Sequence, residues 1–216
     1  MKISYTIALC MPVVVQAWTT PCHRPQRHPI TSTALQAQVG IFFGTSTGST
    51  EAAADALYEA FGPEVAAEPV DIETLEVDQV AAALQAHDAL IVGTPTWNTG
   101  ADTERSGTGW DELYYTQLPA LQSALGNKPV AVFGLGDQVS YAENYADAAG
   151  ELYDVFESLG CRMHGAWSTD GYEHEASKAL RGDKFCGLVL DFVNQEDMTE
   201  ERVTQWVQQL YAEGFL

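Results

Sequence analysis

Cations are scarce in this chain. Ten Lys and Arg face 30 Asp and Glu over 216 residues, a formal net charge of −20. So acidic a chain lacks the basic footprint that nucleic acid or an anionic membrane surface requires, and it favours a basic partner. At the N-terminus it is acid that is missing: Lys2, Arg24 and Arg27 are the only charged residues before Glu51. Residues 28–216 therefore hold seven cations and all 30 acids, a formal −23. Cysteine is rare too, four in all. Cys10 and Cys22 lie near the N-terminus, and Cys161 and Cys186 sit in apolar surroundings. That excludes a disulfide scaffold and fits buried free thiols in a reducing compartment. His87, His164 and His174 are scattered, without metal-ligand spacing. The apolar run Ile7 to Val15 is too short for a membrane-spanning helix.

Composition marks the first 37 residues as foreign to the rest. Lys2, the apolar run and Val15-Gln16-Ala17 read as a signal peptide, about 1–17, with a small-residue cleavage site. Residues 18–37 are basic, hydroxyl-rich and acid-free, which is transit-peptide composition. With Trp18 just after the cleavage site, the arrangement resembles the bipartite presequence of proteins imported into complex algal plastids. The expectation is a presequence over 1–37, removed from a single domain over 38–216.

That domain is organised around Thr45-Ser46-Thr47-Gly48-Ser49-Thr50. Val39 to Phe43 before it reads as a buried strand, and Glu51 to Leu57 after it as the first turns of a helix. Loop N–H groups and the positive end of the helix dipole converge on one spot, where an anion binds, and the hydroxyls add donors. A nucleoside-triphosphate loop requires Gly-Lys-[Ser/Thr], and no Lys or Arg lies between Gly44 and Gly62. Neutral donors alone suit a terminal monophosphate better than a polyphosphate with its metal. Read in isolation, the stretch is equally a Ser/Thr-rich turn with an N-cap.

Strands are expected at about Gln38–Phe43, Val65–Val70, Asp88–Thr94, Lys128–Gly134 and Arg162–Ser168, the last resuming at Gly187–Leu190. Helices are expected at Thr50–Phe61, Val77–Leu84, Asp111–Leu125 with a break at Pro119, Ala142–Leu159 and from Thr199 onward. Such alternation means a parallel sheet with helices on both faces. Ligands then sit beyond the carboxyl ends of the strands, at the topological switch point. Pro95-Thr96-Trp97-Asn98-Thr99-Gly100 follows the third strand. Gly134-Leu135-Gly136-Asp137-Gln138-Val139-Ser140-Tyr141 follows the fourth. One aromatic in each suggests a flat ring held between Trp97 and Tyr141.

These loops, Thr-Ser-Thr-Gly-Ser-Thr, Thr-Pro-Thr-Trp-Asn-Thr-Gly and Gly-Asp-Gln-x-x-Tyr, resemble the FMN-binding loops of flavodoxin. The likeness continues through Trp167–Tyr172 and Ser177–Arg181 and covers essentially all of 38–216. The polar excursion between Ser168 and Gly187 resembles the insertion of long-chain flavodoxins. The resemblance implies an α/β fold: a doubly wound five-stranded parallel sheet in three layers, α/β/α, the last strand interrupted by a long loop. Strand order is then 2-1-3-4-5, with FMN at the switch between the first and third strands, flavodoxin being itself the standard example of that order.

By the same resemblance Thr45, Ser46, Thr47, Gly48, Ser49 and Thr50 bind the FMN phosphate. Thr94, Pro95 and Thr96 lead to Trp97, which covers the inner ring face, and Asn98, Thr99 and Gly100 place backbone beside flavin N5. Gly134 and Gly136 belong to the fourth-strand site, Asp137 approaches N3 of the pyrimidine edge, Tyr141 covers the outer face, and Asp170 meets the ribityl chain. No catalytic residue and no metal ligand is implied. The segment Ala101–Gly109 is longer than in many bacterial relatives.

The activity implied is low-potential one-electron transfer on the semiquinone/hydroquinone couple of FMN, with no substrate turnover. A backbone carbonyl near N5 and the surrounding negative charge set the potential. The implied partners are basic redox proteins, photosystem I as donor and ferredoxin–NADP⁺ reductase as acceptor, met by a monomer in the plastid stroma in place of ferredoxin. A flavodoxin-fold quinone or NAD(P)H oxidoreductase would instead need substrate room beside the ring, which Trp97 and Tyr141 fill. A flavin-free receiver would need an acidic pair after strand one and a phosphoacceptor Asp after strand three. Those places hold Gly44-Thr45 and Thr94-Pro95. Trp167, Trp206, Tyr114 and Tyr115 read as packing residues, and Asp71, Glu73, Glu76 and Asp78 as a solvated acidic rim.

Overall fold

The computed structural model describes residues 38–216. The presequence, its cleavage site and the import route expected from residues 1–37 lie outside the described residues. Three near-continuous apolar runs form the centre of a parallel sheet: β1 (Val39–Phe43), β3 (Ala89–Thr94) and β4 (Pro129–Leu135). β1 pairs with β3 from Val39 opposite Ala89, and β3 with β4 from Leu90 opposite Val130, both parallel. The short β2 (Val70–Asp71) flanks β1. Beyond β4, two short strands share one position: β5 (Arg162–His164) pairs with its first half and β9 (Leu188–Leu190) with its second. The order β2-β1-β3-β4-β5, with β9 also on β4, is the expected five-position sheet with its last strand interrupted.

Side chains on a strand alternate between faces, and the core divides accordingly. Phe42, Leu90, Val92, Val130 and Val132 join one buried cluster with α2 (Val77–Gln85), α3 (Gly109–Thr116), α4 (Gln122–Leu125) and α5 (Asp147–Ser158). Ile41, Phe43, Ile91, Ala131 and Phe133 join the other with α1 (Ser49–Phe61) and α6 (Thr199–Ala212). Trp206 of α6 is wholly buried there and donates its indole N–H to the Gly165 carbonyl (2.7 Å), so it is a core residue. Trp167 packs against both clusters. Gly93 keeps the central layer close, because a Cβ there would overlap the Phe133 ring.

The excursion is structured. β6 (Trp167–Ser168), β7 (Leu180–Arg181) and β8 (Lys184–Phe185) form a three-stranded antiparallel sheet, order β6-β8-β7. Its Phe185 and Tyr172 rings meet Tyr145, anchoring it on the face that α5 covers.

Three expected elements differ. The strand over Val65–Val70 reduces to Val70–Asp71 plus one bridge, Val39 to Ala66, since Pro69 offers no N–H to a ladder. The helix at Asp111–Leu125 is interrupted at Pro119 as expected, into α3, a 3₁₀ turn at Leu118–Leu121 and α4. The helix at Ala142–Leu159 starts only at Asp147, because Ala146 has φ 52° and turns the Tyr145 ring inward. Apolar residues of two segments had mimicked one period. The strand at Arg162–Ser168 splits at Gly165, whose φ of 84° breaks the extended run.

Candidate cofactor site

The carboxyl ends of β1, β3 and β4 open on a cleft of about 250 Å³, at the switch between β1 and β3. Thr47, Ser49 and Thr50 line one end of it, from the N-terminus of α1. Gly48 occupies the N-cap position with φ 87°, a conformation that glycine adopts without steric cost. Having no side chain, it leaves the helix end uncapped. Among the described residues nothing accepts from the N–H groups of Thr47, Ser49 or Thr50. Thr50 is 1% exposed and its Oγ1 has no partner. Free N–H groups, an orphaned hydroxyl and a dipole end in one place fit an anion.

The other loop residues build this end. Thr45 Oγ1 accepts the Gly48 N–H at 3.0 Å, closing the loop, and Ser46 Oγ donates to the Gly107 carbonyl at 3.2 Å. Their side chains hold the turn, while their neighbours face the cleft.

Pro95, Thr96, Trp97 and Thr99 form a second wall, and Leu135, Gly136, Asp137 and Tyr141 a third. Trp97 and Tyr141 expose half their surface, 51% and 52%. Two large aromatics half in water at the mouth of one cleft cost hydration free energy that a stacked flat ring would recover. Thr96 Oγ1 accepts the Ala148 N–H at 3.2 Å, which ties this wall to the start of α5. Asn98 and Gly100 sit on the exposed loop beside the wall, with Asn98 Nδ2 donating to the Glu104 carbonyl (2.6 Å).

Asp137 is the sole charged residue among those lining the cleft. Burial works to raise its pKa. The N–H and hydroxyl of Ser140, the Asn194 amide and the Val139 N–H outweigh that and hold the carboxyl below its usual range. Its Oδ1 accepts those N–H groups at 2.8 to 3.1 Å.

Three further expected site residues are not among those lining the cleft. Thr94 and Gly134 are buried inside the strands, where a Cβ on Gly134 would overlap Ala149. Asp170 is exposed in the turn after β6 and lines a separate cavity with Trp167, Ser168 and Arg202. Asp170 belongs to the excursion, which folds as its own sheet. Tyr115, expected to pack, is 54% exposed and donates its hydroxyl to Glu151 at 3.1 Å. Glu73 is exposed, as expected of a solvated rim, and accepts the Gly109 N–H at 2.9 Å.

Phe192 and Val193 also line the cleft and were missed. They follow β9, so the strand-end rule that located the other loops also points to them. Buried Asp191 shapes their turn, accepting the N–H groups of Gln138, Val193 and Asn194 at 2.9 to 3.0 Å.

A family model described as flavodoxin matches residues 41–206. The chain belongs to the flavodoxin family. It is 42% identical over 173 residues to a Picosynechococcus flavodoxin, covering 80% of this chain and 95% of that one. A Nostoc flavodoxin is 40% identical over 179 residues, covering 83% and 98%. Among solved structures, Fusobacterium nucleatum flavodoxin bound to flavin mononucleotide superposes with a TM-score of 0.65 at 26% identity, covering 81% and 97%. The sheet order and the position of the cleft at the β1/β3 switch are those of the flavodoxin-like doubly wound fold.

Proposed function

We propose that this chain binds FMN in the cleft and carries single electrons on it, without turning over a substrate of its own. The observation that carries the reading is the pairing of an uncapped, cation-free helix end with two half-exposed aromatics, Trp97 and Tyr141, around one cleft. The N–H groups of Thr47, Ser49 and Thr50 and the Thr50 hydroxyl would hold the phosphate. Trp97 and Tyr141 would flank the ring, with Asp137 and Val193 near its edge. FMN, when bound, supplies the one-electron chemistry, and the protein supplies position and electrostatics. An ionised Asp137 and the formal −23 over residues 28–216 disfavour added negative charge and so lower the reduction potential; tenfold in differential binding is about 59 mV for one electron. With Trp97 and Tyr141 flanking the ring, no room is left beside it for a second substrate, which disfavours the oxidoreductase reading.

The acidic surface favours basic redox partners, with association that weakens as salt rises. Photosystem I as donor and ferredoxin–NADP⁺ reductase as acceptor suit that charge. The acid-free, basic composition of residues 1–37 supports import into a plastid stroma, where those partners operate. A fluorescent fusion of residues 1–37 that stays in the secretory pathway would overturn the plastid assignment. The function itself is tested by absorption during stepwise anaerobic reduction of the purified chain. Yellow protein reduced in two separate one-electron steps supports the carrier. A single two-electron step, or colourless protein that takes up no FMN, refutes it.

A further inference from the structure

We infer that Glu151, on α5, is a positioning residue that fixes the Trp97 wall of the cleft through one intervening peptide, Glu104-Arg105. The inference rests on the FMN reading above and assigns a task to the segment Ala101–Gly109, which that reading leaves without one.

Glu151 is 7% exposed and uses both carboxylate oxygens. Oε1 accepts the Glu104 N–H at 2.9 Å and the Tyr115 hydroxyl at 3.1 Å. Oε2 accepts the Arg105 N–H at 2.9 Å and lies 3.7 Å from Arg105 Nη1. Two successive backbone N–H groups thus converge on one anion, a nest filled by the chain's own carboxylate. Glu104 has φ 58°, uncommon for a residue with a side chain. Such a backbone persists where its surroundings fix it, and the carboxylate is what both N–H groups meet.

The carbonyls of the same two residues point the other way, to the cleft wall. The Arg105 carbonyl accepts both the Trp97 N–H (3.0 Å) and the Asn98 N–H (3.1 Å). The Glu104 carbonyl accepts Asn98 Nδ2 at 2.6 Å. Arg105 is 8% exposed and closes the segment on itself, its Nε donating to the Ala101 carbonyl at 2.8 Å and its Nη2 to that of Asp102. The path therefore runs from a rigid helix, through one carboxylate and one peptide, to the backbone of a half-exposed tryptophan. Trp97 is half exposed, so this backbone grip has much of the work of placing it. Pre-placement removes an ordering cost that binding would otherwise carry.

Glu151→Gln tests the relay. An amide keeps one acceptor oxygen and turns the other into a donor, so in either orientation one of the two backbone N–H groups loses its acceptor. The full chain is stripped of FMN and titrated with FMN by flavin fluorescence, as wild type, Glu151→Gln, Trp97→Ala and the double variant. Glu151→Gln is expected to raise Kd about tenfold. In the Trp97→Ala background the same change is expected to raise Kd by less than about twofold, because the two act as one unit. Equal factors in both backgrounds, or no change in either, overturn the inference. Amide hydrogen exchange supplies a readout free of cofactor: Trp97 and Asn98 should exchange faster in Glu151→Gln while β1 and β3 amides keep their rates. Uniform acceleration, or none, counts against a positioning role. Should wild type take up no FMN, the proposed function falls and the exchange result still decides the relay. Should Glu151→Gln not fold, Arg105→Gln keeps both N–H grips but removes the ion pair to Glu151 and frees the Ala101 and Asp102 carbonyls. It is expected to show the same non-additivity with Trp97→Ala, and additivity overturns the inference.

Discussion

Thr50→Val should move stability and affinity in opposite directions. Thr50 lies in the first turn of α1, 1% exposed, with its hydroxyl unpartnered. A buried hydroxyl without a partner costs about 1–3 kcal/mol. Valine puts a methyl group in the same space, is branched at the same atom and has a similar helix propensity. The cofactor-free variant should therefore be more stable than wild type, by about 1 kcal/mol. With FMN the sign reverses. A hydroxyl donating to a phosphate makes a charge-assisted bond of about 1.5–3 kcal/mol, so its loss should raise the FMN Kd roughly 10- to 100-fold. Urea unfolding of the stripped chain measures the first effect and fluorescence titration with FMN the second. Adding saturating FMN should make wild type the more stable of the two, since binding stabilises by mass action. A variant that loses stability when stripped, yet binds FMN as tightly as wild type, would refute both the orphaned hydroxyl and its place in the phosphate cradle.

Three further predictions follow from other parts of the molecule. Trp97→Ala should weaken FMN binding and leave the urea midpoint of the stripped chain within error, because Trp97 is already half exposed; unchanged affinity would remove its stacking role. Asn194→Ala deletes one of the hydrogen bonds that depress the Asp137 pKa, so the Asp137 carboxyl should titrate at higher pH when followed by NMR. The depressed pKa means that Asp137 stabilises the fold above its unfolded value of about 3.9 and loses that contribution as pH falls through the folded value; in Asn194→Ala the loss should begin at higher pH, and an unmoved midpoint would contradict the network. Gly150→Ala should destabilise by about 1–3 kcal/mol, although alanine is ordinarily the better helix former, because the added Cβ would overlap the Lys178 carbonyl; a more stable variant would show that the excursion does not press on α5.

Most of the architecture is legible in the sequence between Val39 and Leu135. Strands buried on both faces are continuous apolar runs, and Val39–Phe43, Ala89–Thr94 and Pro129–Leu135 lie within a residue or two of their expected bounds. The loops after them carried the Ser/Thr/Gly turn and the two aromatics, since a ligand at a parallel sheet's carboxyl edge has to be met by residues at strand ends. Local pattern failed where neighbouring segments share one core. Tyr145 and Leu152 are both buried yet belong to different elements, because Ala146 turns the chain between them.

Chemistry made from distant residues was hidden for a related reason. Asp191 shapes the Asp137 loop from 53 positions away, and Glu151 grips Arg105 from 46. Both are short-range electrostatic contacts that exist only once the helices and loops have docked, and no periodicity or motif encodes which carboxylate will meet which N–H. Asp170 shows the converse: it stands in a stretch that resembles the family's pattern, yet it lines a separate cavity beside the β6-β8-β7 sheet and not the cleft. The sequence by itself determined the alternation of strands and helices, the acid balance and the anion-seeking loop, because these depend on side chains near one another along the chain. Tertiary structure alone decided which hydroxyl stayed unpartnered, which carboxylates were buried and where the excursion sent its acid, because each depends on what packs against it from afar.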